Sequence, residues 1–121
     1  METSILKTIR KMIGGGDLGD ESGPFDEDLI VHINTYLQVL SQLGVGKEDF
    51  QITGLTETWD DFYDGDTVIQ SMAKTYLYSR VKAAFDPPQS QSLLQSLKEV
   101  GDEMEWRLNA KVDRARAAHG G

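Results

Sequence analysis

The densest run of chemistry-bearing side chains is Asp60-Asp61-Phe62-Tyr63-Asp64-Gly65-Asp66. Clustered carboxylates with a glycine suggest a calcium loop, which needs oxygens at positions 1, 3 and 5, glycine at 6 and glutamate at 12. Counted from Asp60, position 3 is Phe62 and position 12 is Ser71, so the pattern fails where it matters. A solvated acidic turn that caps the following helix is the better reading. His32 and His119 are the only histidines. His32 has Asp28 four residues before it, the spacing of a charge pair or an acid–base dyad, but no nucleophile is nominated beside it. One histidine in an ordered region and no cysteine argue against zinc. Gly14-Gly15-Gly16 follows a helical stretch and precedes acids, so it is a linker and not a phosphate cradle. The residues nominate no catalytic, metal or cofactor site.

The charge is −8 and unevenly spread. Residues 1–13 are basic, with Lys7, Arg10 and Lys11; residues 14–66 are acidic, with Lys47 as their one cation; residues 67–121 are mixed. A phosphate-neutralising DNA binder is usually net basic. The Lys7, Arg10 and Lys11 face has too few charges to specify DNA or an anionic membrane, and docking on a neighbouring protein suits it at least as well. No apolar run is long enough to span a membrane. The absence of cysteine leaves disulfides out and is compatible with a reducing compartment.

The elements expected to position these residues are helical. Thr3–Ile13 carries Ile5, Leu6, Ile9, Met12 and Ile13 as one stripe, capped by Thr3 or Ser4. The glycines after it and the acidic stretch 14–24 make it a detachable arm on a flexible linker. The second helix runs over Glu27–Leu43 with Asp26 as cap, Phe25 and Ile30 as a hydrophobic staple, and Leu29, Ile33, Tyr36, Leu37, Leu40 and Leu43 as its face. Gly44 supplies a left-handed stop and Val45 folds back on Leu40. Residues 46–66 are irregular but rich in aromatics: a packed lid, a helical turn at Trp59–Tyr63 or a contact surface, with a short extended piece at Phe50–Thr53.

The third helix spans Thr67–Phe85, capped by Asp66 or Thr67 with Gln70 behind. The fourth runs from about Gln89 to Ala115 or beyond, with Leu93, Leu97, Val100, Met104, Leu108 and Val112 in steps of three and four, and with Gly101 inside it. Its basic end, Arg107, Lys111, Arg114 and Arg116, projects past the bundle. Trp106 lies off the stripe and either anchors an interface or packs on the third helix. Phe85-Asp86-Pro87-Pro88 forms the corner between these helices, with Phe85 as a plug, Asp86 as the next cap and Pro87 at the first helical position. A corner this short makes the two helices antiparallel. The expected fold is one mainly α domain: a bundle of about four helices with a long C-terminal helix, comprising an arm at 1–13, a linker at 14–24, a core at 25–109 and an extension at 110–121. Its core is thin, as in chains whose apolar surface is completed by other copies.

The segments LIVHINTYLQVLSQLGVG, FQITG…TW, KTYLYSRVKAAFDPP and EWRLN, in this order over about residues 4–109, resemble the head–tail connector proteins of tailed bacteriophages. The resemblance implies a small helical, non-enzymatic subunit without cofactor, made in the bacterial host cytoplasm and carried in the neck of the virion. It implies a ring, usually of twelve copies, beneath the portal protein, extending the DNA channel and presenting a platform to head-closure or tail proteins. Packaged DNA would touch the ring only transiently and non-specifically, and an acidic middle lining the channel would repel phosphates. Candidate contacts to neighbours or portal are Ile5, Lys7, Ile9, Arg10, Trp106, Arg107, Lys111, Arg114 and Arg116. The competing reading is a nucleic-acid-binding packaging or regulatory protein that uses its basic ends.

Overall fold

In the computed structural model the described residues are 4–14 and 23–118, with side chains to Asp113. They form five helices: α1 (Ile5–Ile13), α2 (Asp26–Gln42), the single-turn α3 (Trp59–Phe62), α4 (Thr67–Phe85) and α5 (Gln91–Ala118). The central helix is α4, which packs against α1, α2 and α5. Its buried residues, Ile69, Ala73, Tyr76, Leu77, Ser79 and Val81, therefore point in several directions.

Local signals set most helix ends. Ser4 caps α1, its hydroxyl accepting from the Lys7 N–H at 3.3 Å. Asp66 caps α4, its carboxylate accepting from the Val68 N–H at 2.8 Å. The end of α2 is a Schellman motif: Gly44 N–H donates to Ser41 C=O at 3.0 Å and Val45 N–H to Leu40 C=O at 2.9 Å. Gly44 takes φ 94°, a conformation costly for a residue with a Cβ, and Val45 drops into the core.

Four local expectations change. Asp26 is the first residue of α2 and not its cap; its carboxylate accepts from the Gly23 N–H at 2.7 Å and pairs with Arg10. Phe25 does not staple α2, because its ring meets the edge of Phe85 at 5.9 Å. Phe85 in turn also meets His32 at 6.0 Å, so it closes the α2 side of α4 and does not plug the corner with α5. At that corner Asp86 ends α4, its N–H bonding Lys82 C=O and its carboxylate Lys82 Nζ at 2.8 Å. Ser90 opens α5 instead, accepting from Leu93 and Leu94, so Pro87 and Pro88 stand before the helix. The antiparallel pairing holds: Arg80 meets Asp102 and Glu105, while Asp66 meets Lys111.

The larger correction concerns α1. Ile5, Leu6 and Ile9 are buried in the common core, where an arm on a tether was expected. Ile5 N–H donates to Glu57 C=O at 3.1 Å, and Ser4 bridges to Thr58. Buried Trp59 donates from its indole Nε1 to Thr8 Oγ1 at 3.1 Å, while Lys74 of α4 lies over its ring. Arg10, only 4% exposed, reaches Asp26 of α2 at 3.0 Å. The linker residues 15–22 lie outside the described residues.

Residues 46–66 are a packed segment. Asn34 of α2 stands in for a strand, its side-chain amide accepting from Ile52 N–H at 2.8 Å and donating to Ile52 C=O at 3.0 Å. The Phe62 ring lies so close over Gly46 that no Cβ would fit there. The expected turn at Trp59 is α3, closed by a capping box between Thr58 and Asp61.

Breaking a buried ion pair strands the surviving charge. Arg10→Ala should therefore cost about 3 kcal/mol in denaturant unfolding, against well under 1 kcal/mol for an exposed lysine such as Lys11. A loss below about 1 kcal/mol for Arg10→Ala would mean that α1 docks by its apolar face alone.

Candidate functional site

The acidic run that first suggests chemistry is occupied by structural duties. Asp61 accepts from the Thr58 N–H at 3.0 Å, Asp66 caps α4 and Asp60 accepts from the Gln70 amide at 2.9 Å. The Thr58 backbone and side-chain hydrogen bonds hold the Asp61 carboxyl below its ordinary value. The Val68 N–H, aided by the Lys111 ammonium, does the same for Asp66. Burial pushes Glu57 upward, but hydrogen bonds from Thr53 and Gly54 outweigh it and leave its carboxyl low. Such carboxyls stay ionised and are poor general acids near neutral pH. His32 faces Phe85, and among the described residues no group of three or more His, Cys, Asp or Glu could hold a metal ion.

What remains is surface on α5. This helix is about 42 Å long, against about 28 Å for α4, and α4 is the one helix it packs on extensively. Lys111 lies 3.5 Å from Asp66, the N-cap of α4, so the last turns of α5 overhang the start of its partner. The expected apolar stripe divides. Leu108 is buried and Leu97, Met104 and Val112 are half-buried, but Leu93 and Val100 are exposed.

The seam is rotated because Gly101 is buried in it. Arg80 lies across Gly101 with its guanidinium carbon 2.8 Å from where a Cβ would stand. From there it donates to Asp102 at 2.8 Å and to Glu105 at 3.2 Å, over the Tyr76 ring. Burial works against the charged form, but the bonds to Asp102, Tyr76 and Glu105 outweigh it and raise the Arg80 pKa. Burial also pushes the Tyr76 phenol up.

This rotation carries Trp106 to the outside, 71% exposed, beside Leu43, Asp102, Glu105 and Asn109. It does not pack on α4. Arg107 is exposed and paired loosely with Glu103 at 3.7 Å. The side chains of Arg114 and Arg116 lie outside the described residues, as does His119. On α1, Ile5, Ile9 and Arg10 are taken up by the core, and Lys7 is half-buried. Of the sequence-nominated contacts, Trp106, Arg107 and Lys111 share the C-terminal half of α5, while the N-terminal group lies on α1. Sequence reasoning missed Arg80. Its only local signal is a glycine inside a strong helical pattern, which marks a close approach.

A family model described as phage connector protein matches residues 5–115. No curated protein and no solved structure matches the chain.

Alanine for glycine inside a helix normally gains about 1 kcal/mol. Gly101→Ala should instead lower the thermal midpoint, because the new methyl displaces Arg80 from its two carboxylates. In an Arg80→Ala background the same change should recover the gain. Additivity of the two substitutions in a double-mutant cycle would rule out the clamp.

The caps also set an acid limit. Asp61 and Asp66 have folded pKa values below their unfolded ones, so their contribution is complete above the ordinary carboxylate range and fades as pH falls through the depressed values. The thermal midpoint should be flat from about pH 7 to 5 and drop below about pH 4. Asp61→Asn/Asp66→Asn should flatten that drop; an unchanged acid limb would place the titrating groups elsewhere.

Proposed function

Because the chain belongs to the phage connector protein family, we propose that it is a head–tail adaptor: a ring-forming subunit seated beneath the portal, twelve copies to the ring. The family is structural and not enzymatic, and its members are components of the virion. In this reading the ring continues the DNA channel, and its far side receives head-closure or tail proteins. Portal and neck partners meet the C-terminal end of α5 through Trp106, Arg107 and Lys111, with Arg114 and Arg116 beyond them.

The observation that carries the proposal is the one-sided packing of the longest helix. A helix within a protein gains most of its stability from packing an apolar face. Yet α5 leaves Leu93, Val100 and a largely exposed tryptophan in solvent. Exposed aromatics beside polar side chains are the usual anchors of protein interfaces. A net charge of −8, with residues 14–66 carrying most of the acid, suits a channel wall past which DNA slides without sticking. The nucleic-acid-binding reading loses ground, since Arg10 of the basic N-terminal cluster is committed to Asp26. No helix of the described residues is long and apolar enough to cross a membrane, and the proposal includes no membrane partner.

Trp106→Ala should leave the thermal midpoint nearly unchanged, because exposed side chains contribute within about 0.5 kcal/mol. It should nevertheless reduce the amount of this protein retained on purified particles at least tenfold and leave heads without tails in negative stain. Particles that retain Trp106→Ala protein at wild-type level would remove Trp106 from the portal contact. A wild-type protein that never joins particles would end the adaptor reading.

A further inference from the structure

We draw no further inference here: the strongest candidate, the open groove of about 300 Å³ where Leu93, Leu97 and Val100 of α5 meet Tyr78 and Pro88, is an apolar face with Lys82 on its rim, and nothing in the structure shows what covers it.

Discussion

A guanidinium lying across a glycine fixes the orientation of the longest helix. Arg80 occupies the space a side chain at position 101 would fill, and from there it reaches two carboxylates, Asp102 and Glu105. Charge-assisted forks of this kind are directional as well as strong. The directionality matters more than the energy, because α5 has one substantial helical neighbour and few other contacts to resist rotation about its own axis. With Arg80 engaged, Leu108 faces α4 while Leu93, Val100 and Trp106 face out.

The opposite side of α4 is held by different means. Trp59 fills the space between α1, α3 and α4 and spends its one polar atom on Thr8. Arg10 and Asp26 join α1 to α2 through a pair that is mostly withdrawn from water. Such a pair stabilises little over a well-packed apolar alternative, but it penalises any other docking of α1 severely. The irregular segment 46–66 is organised by Asn34 and by the ring of Phe62 over Gly46, without a strand of its own. Its acids work as caps for α3 and α4. The carboxylates that could have done chemistry are thereby converted into helix boundaries.

The result is a small domain whose enclosed helix, α4, is flanked by helices with unfinished faces. That is a reasonable design for a part that is completed by its neighbours in an assembly, and it accords with membership of a connector family. Uneven charge serves the same end. Helices α2 and α5 each contain a long stretch without ions, and the acids gather between and before them.

Much of this was legible in the sequence because much of it is local. The Schellman stop at Gly44 and Val45, the Asp66 cap, the limits of α4, the turn at Trp59 and the antiparallel corner at Pro87-Pro88 follow from backbone hydrogen bonding and steric rules within a few residues. What the sequence could not settle is which partner each apolar stripe finds. The glycines after α1 read as a tether, yet Ile5, Leu6 and Ile9 had a core to enter, supplied by α2, the 46–66 segment and α4. Asp26 and Asp86 read as caps of the following helices; an arginine from α1 and a lysine from α4 claimed their carboxylates. The stripe of α5 read as one buried face, and with Arg80 on Gly101 two of its six residues, Leu93 and Val100, are exposed. Periodicity determines that a helix has an apolar side. The rotation of that side toward core or solvent is decided by contacts distant in sequence, and here that rotation separates the face that folds the protein from the face left for a partner.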